Sequence, residues 1–143
     1  MRSQRQVRYG VAAGLGFAAV LVCAAAVSAE PQRVVSLNLC TDQLVVDLVE
    51  PARIAGVTEL ARDPMSTPVP ERARALPVTS AVAEDVIARR PDLVLASPFT
   101  SPATLDLLSR TGHTVVTVGA GQSLAGVKDA IAAAAKATGA GAR

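Results

Sequence analysis

The segment Arg90-Pro91-Asp92-Leu93-Val94-Leu95-Ala96 limits what this 143-residue chain can fold into more than any other. Residues 83–89 have the composition of a helix, and Pro91 cannot continue one, so a helix is predicted to close there. Four apolar residues follow without a break. A strand that is apolar on both faces belongs inside a parallel sheet covered by helices on either side. Such sheets hold their ligands at the carboxyl ends of the strands. The residues of interest are therefore those just beyond this strand, Ser97-Pro98-Phe99-Thr100-Ser101.

The rest of the chain alternates in the same way. Strands are predicted at residues 33–37, 54–57, 77–79, 93–96 and 114–118. Thr41 is expected to cap the first helix, with Asp42 complementing its dipole and Leu44, Val45, Leu48 and Val49 on one face. Residues 59–76 read as irregular, with a short helix near 71–76. Ser80 is expected to open the helix that Pro91 closes. Ser101-Pro102 fits an N-cap followed by proline at the first helical position, and Gly112 fits a left-handed C-cap. Ser123 is expected to cap the last helix, with Leu124, Val127, Ile131 and Ala134 buried. The fold class is thus α/β, a parallel sheet flanked by helices on both faces.

Residues 1–29 stand apart. Arg2, Arg5 and Arg8 precede an apolar run from Val11 to Val27 and the small-residue end Val27-Ser28-Ala29. This reads as a secretory signal peptide cut after Ala29, in preference to an uncleaved anchor, because the run is short for a span and contains Gly14 and Gly16. Bulky Val22 makes lipoprotein anchoring through Cys23 the lesser reading. The chain has 14 basic and 12 acidic residues, and three of the basic ones lie in this leader. The remainder, at 11 against 12, has no basic patch, so nucleic acid is not an expected partner.

Candidate chemistry is sparse. The residues just after the predicted strands share one rim: Asn38, Cys40, Thr41, Thr58, Glu59, Ser97, Phe99, Thr100, Gly119 and Gly121. Together they form a plausible ligand edge, with helix N-termini pointing at it. Phe99, the only aromatic beyond the leader, either offers a flat face to a ring ligand or covers the end of the core. Cys40 at a helix N-terminus has the setting of a reactive thiol. His113, the only histidine, precedes the last strand while Cys40 follows the first, so the two are predicted at opposite ends of the sheet. Cys40 then reads better as a small buried or semi-buried residue. Residues 119–124 imitate a dinucleotide fingerprint but place Leu124 where a third glycine is needed. No metal site, cofactor or catalytic residue is predicted. One histidine, and no tyrosine beyond Tyr9, argue against axial haem ligation.

Three segments in this order, Arg33-Val-Val-Ser-Leu-Asn-Leu-Cys-Thr-Asp-Gln43, Arg53-Ile-Ala-Gly-Val57 and Ala83-Glu-Asp-Val-Ile-Ala88 with residues 90–96, resemble a known family. They look like the N-terminal lobe of the periplasmic substrate-binding proteins of ABC importers for vitamin B12 and ferric siderophores. The resemblance implies two α/β lobes joined by a long helix, with a ferric siderophore or corrinoid-like ligand in the cleft. It also implies an acidic residue on top of the lobe that docks to the inner-membrane ABC permease. Glu84 matches that position and Asp85 is the second choice. Positions that are aromatic in vitamin B12 binders hold Leu60, Val78 and Ser97. On this resemblance residues 30–138 form the N-terminal lobe, residues 139–143 begin a linker, and the second lobe is missing. The expected role is a non-enzymatic, periplasmic solute-binding component. The other readings are a secreted thiol-dependent enzyme using Cys40 and a stand-alone permease-docking module.

Overall fold

A computed structural model describes residues 29–68, 70–119 and 121–142. The leader reading falls on residues 1–28 and lies outside them. The elements run β1 (Val34–Ser36), α1 (Leu39–Leu48), β2 (Ile54–Thr58), α2 (Pro70–Ala73), β3 (Val78–Thr79), α3 (Ala83–Ala88), β4 (Leu93–Ala96), α4 (Pro102–Arg110), β5 (Val115–Thr117) and α5 (Leu124–Thr138). Short 3-10 turns occupy Pro51–Arg53, Glu59–Arg62 and Ala140–Ala142.

The five strands form one sheet in the order β3-β2-β1-β4-β5. Every pairing is parallel. All four residues of β4 are buried, as its unbroken apolar run requires. Side chains alternate across the sheet with a period of two. Val34, Ile54, Val57, Leu93 and Leu95 pack with Val45 of α1, Val49 just after it, Ala73 of α2 and Ala134 of α5. Val35, Val94 and Ala96 pack on the other face with Val86 of α3 and Leu108 of α4. The helices thus divide into two layers, one on each face, in a doubly wound arrangement.

Local details depart from the sequence reading at four places. Asn38, not Thr41, caps α1, because its Oδ1 accepts the Thr41 N–H at 3.2 Å. Thr41 is drawn one turn inward by a bond to Ser36. Ser80 does not open α3; the helix begins at Ala83 after Val82, which makes no side-chain cap. It stops at Ala88 rather than at Pro91, and Arg90 turns left-handed at φ 51°. The Arg33 guanidinium donates to the carbonyls of Arg89 and Arg90 and holds this turn.

The fourth departure is the buried face of α5. Ala134 and Thr138 are buried and Ala130 and Ala137 pack against the core. Leu124, Val127 and Ile131 are exposed instead. The helix turns its alanine stripe inward, because small side chains let it approach α1 and the sheet closely. Gly112 (φ 82°) and Gly139 (φ 79°) take the left-handed conformation expected where helices end.

Candidate functional site

Parallel pairing brings the carboxyl ends of all five strands to one edge. The chain leaves β1 through α1 on one face of the sheet and leaves β4 through α4 on the other. The neighbouring ends of β1 and β4 therefore part, and a crevice opens between them. Asn38 stands at one side of this switch point and residues 97–100 at the other.

Residues 97–100 form a locked turn. Buried Ser97 donates its N–H to Thr100 Oγ1 at 3.1 Å and accepts the Phe99 N–H on its Oγ at 3.2 Å. The Thr100 N–H bonds to the Ser97 carbonyl at 3.0 Å. The hydroxyl oxygens of Ser97 and Thr100 thus serve the turn as acceptors. Phe99, at the tip, is 81% exposed, so it does not cover the end of the core.

Two predicted rim residues are engaged inside the fold. Thr41 is buried, with Oγ1 2.7 Å from Ser36 Oγ and donating to the Asn38 carbonyl at 3.0 Å. Thr58 is buried and donates its N–H to Asp42 Oδ1 at 3.1 Å and its hydroxyl to Asp42 Oδ2. Asp42, read from the sequence as complementing the dipole of the first turn, is fully buried, and this burial pushes its carboxyl above the ordinary 3.8 despite hydrogen bonds from Ser36 and Thr58.

The other predicted residues stay on the edge. Glu59 and Gly119 are exposed, and Asn38 and Gly121 are half-buried. Gly121 has a positive φ, and a Cβ there would lie 2.9 Å from Val127 Cγ2, so the loop entering α5 needs glycine. Cys40 is exposed, not buried, and lines a groove of about 290 Å³ between α1 and α5 with Gln43, Asp47, Gly119, Val127 and Ile131. His113 stands at the amino end of β5, its Nδ1 3.0 Å from Thr111 Oγ1. Cys40 and His113 occupy opposite edges of the sheet and form no catalytic pair.

The sequence reading missed the apolar character of the rim. Leu60 after β2 is 49% exposed, Val82 after β3 50%, and Leu124 after β5 84%. With Phe99, four of the five strands are followed by an exposed large apolar side chain. The available signal was position: each follows a strand end, where a core role was not required.

Glu84 and Asp85 separate cleanly. Asp85 Oδ2 accepts the Thr79 hydroxyl at 2.7 Å and the Ser80 N–H at 2.9 Å, and Arg89 lies 3.1 Å from Oδ1. The Thr79 hydroxyl, the Ser80 N–H and the Arg89 guanidinium hold its carboxyl down at about 2. Glu84 is exposed and makes no hydrogen bond among the described residues. Asp85→Ala is expected to cost about 1.5 kcal/mol, kept modest by solvent screening of the Arg89 pair. Glu84→Ala is expected to change stability by less than about 0.5 kcal/mol. Urea unfolding of both variants tests this. The Asp85 contribution is complete above pH 3.8 and is lost as the pH falls through about 2.

The model of the periplasmic binding protein family matches residues 34–143. The chain belongs to that family. A periplasmic heme-binding protein from Pseudomonas aeruginosa is 25% identical over 77% of this chain and 39% of its own, with a TM-score of 0.63. The periplasmic heme-binding protein RhuT from Roseiflexus sp. RS-1, in apo form, is 26% identical over 76% of this chain and 41% of its own, with a TM-score of 0.64. The vitamin B12 binding protein BtuF of Vibrio cholerae shares the fold at 20% identity, a TM-score of 0.59, and coverage of 79% and 45%. No curated protein matches the sequence. This periplasmic binding protein chain spans about two-fifths of the length of these solved structures. The family and these neighbours are binding proteins described as periplasmic.

Proposed function

We propose that this chain is the ligand-binding lobe of the solute-binding component of an ABC importer, carried to the periplasm by residues 1–29. Residues 30–138 supply one wall of the ligand cleft at the carboxyl edge of the sheet, and a second α/β lobe, reached through a linker starting near Gly139, supplies the other. The ligand is an iron chelate or a cobalamin-like compound. Glu84, exposed and uncommitted, docks to the membrane permease, where its charge guides orientation more than it adds affinity.

The observation that carries this reading is Phe99, held out by a hydrogen-bonded turn at the switch point of a family fold whose neighbours are named for heme and vitamin B12. An aromatic side chain has few rotatable bonds to immobilise and buries a large apolar area on binding. Phe99→Ala is expected to weaken binding by about 2 kcal/mol, roughly 30-fold, without changing the thermal midpoint. Titration with haemin, cobinamide and a ferric siderophore, followed by absorbance, checks it. Equal affinity of the variant for whichever ligand binds would remove Phe99 from the site, and unchanged permease binding by Glu84→Ala would remove the docking role.

A further inference from the structure

A chamber of about 80 Å³ lies between α1 and residues 61–73. Asp42, Ala61, Thr67 and Ala73 line it and are buried, and Val46 is half-buried. Gln43, Asp47 and Pro68 also line it and are exposed, so it opens to solvent on their side. A void of this size holds about two or three waters, or a short chain of heavy atoms.

The charge around the chamber narrows what can enter it. Each Asp42 oxygen accepts one bond from Thr58, and a carboxylate oxygen has room for a second. No basic residue lines the chamber. Two arginines bond to its walls, but neither bonds to Asp42. Arg72 donates to Asp47 and to the Val46 carbonyl, and Arg62 donates to the carbonyls of Ala73 and Leu76. Asp47 is thereby neutralised, and one uncompensated carboxylate remains at the buried end. Among the described residues no three His, Cys, Asp or Glu side chains gather, so a divalent cation lacks the ligands it needs. Val46, Ala61, Pro68 and Ala73 make apolar walls, which suit a hydrocarbon stem better than the oxygen shell of a bare ion.

We propose that this chamber binds the ammonium end of a primary alkylamine, with the charge on Asp42 and the alkyl stem against the apolar walls. An ammonium carries three donors and makes charge-assisted bonds to a carboxylate. Bound there, it offsets a charge that burial penalises and strengthens the link from α1 through Asp42 to Thr58. The site is separate from the ligand edge, and neither reading depends on the other.

The test is titration of the full chain with n-propylammonium chloride at pH 7, at constant ionic strength, read by the thermal midpoint. A saturable rise with a dissociation constant of about 1 mM is expected for so small a ligand. Potassium should bind at least about tenfold more weakly, and tetramethylammonium, which has no N–H donor, should give no saturable rise. Asp42→Asn keeps the Thr58 bonds and removes the charge. Val46→Phe keeps the charge and fills the chamber. Each should weaken propylammonium binding at least about tenfold. Nα-acetyl-lysine amide distinguishes the source: equal binding supports a lysine side chain of another protein, and exclusion of its backbone supports a free amine. Equal stabilisation by potassium would overturn the proposal, as would propylammonium binding that survives in both variants. The absence of any saturable rise with propylammonium would overturn it too, and in each case the ligand edge stands.

Discussion

Asp42→Ala is expected to destabilise the fold by about 3 kcal/mol, while Asp42→Asn leaves stability at neutral pH unchanged or raises it. Asp42 is fully buried on α1 and accepts both the backbone N–H and the hydroxyl of Thr58, so it pins the carboxyl end of β2 to that helix. Alanine strands two buried donors and leaves a void. Asparagine keeps an oxygen for the Thr58 N–H and turns its amide toward the Thr58 hydroxyl, which can accept as well as donate. It also removes a charge that burial disfavours.

The pH dependence follows in sign. Burial raises the Asp42 carboxyl above 3.8 in the folded protein. Below pH 3.8 the group is protonated in both states and costs nothing. As the pH rises through the raised folded value, ionisation penalises the fold. Asp42→Asn should therefore gain on the natural protein between acid and neutral pH. Urea unfolding from pH 4 to 7 measures it, and an asparagine variant as unstable as the alanine one at pH 7 would contradict the account.

Arg53→Ala is expected to cost about 3 kcal/mol. The Arg53 side chain is buried at the start of β2 and ties three parts of the chain together. Nε donates to the Pro31 carbonyl at 2.7 Å, Nη1 to Glu30 Oε2 at 2.8 Å, and Nη2 to the Thr138 carbonyl at 2.7 Å. Glu30 remains partly exposed, so most of the loss comes from two orphaned carbonyls and lost packing, not from a stranded charge. Lysine offers a point charge without the planar fork and should recover less than half.

The same tie sets the direction in which the chain leaves α5. Gly139 is left-handed, and a Cβ there would lie 2.7 Å from Glu30 Cγ. In Arg53→Ala, amide exchange at residues 30–33 and 136–139 should quicken well before that of β4. Uniform exchange across those segments and β4 would mean that Arg53 acts on the whole core instead.

What could be read from the sequence was local or periodic. Residues 93–96 announced a central strand because nothing polar interrupts them, and Gly112 announced its left-handed turn because the helix before it ran out of apolar spacing. The failures were long-range. Asp42 and Thr58 are 16 residues apart, and nothing in the pattern around Asp42 separates a dipole-complementing carboxylate from one accepting bonds across the sheet. On α5, periodicity found a stripe of large residues, but a neighbouring stripe of alanines allowed closer approach and won the interior. Glu84 and Asp85 are adjacent in sequence and became distinguishable only when Thr79, Ser80 and Arg89 closed around Asp85. Phe99 had two equal readings until its exposure at the tip of the 97–100 turn separated them.

Amide chemical-shift mapping of the chain with whichever of haemin, cobinamide or a ferric siderophore it binds tests the location of the ligand edge most directly. The account predicts the largest perturbations at residues 38–40, 59–60, 97–100 and 119–121, the carboxyl ends of the strands. Perturbations gathered instead around Asp92, Thr114 and Lys136, which line a cavity of about 500 Å³ at the opposite edge, would contradict it.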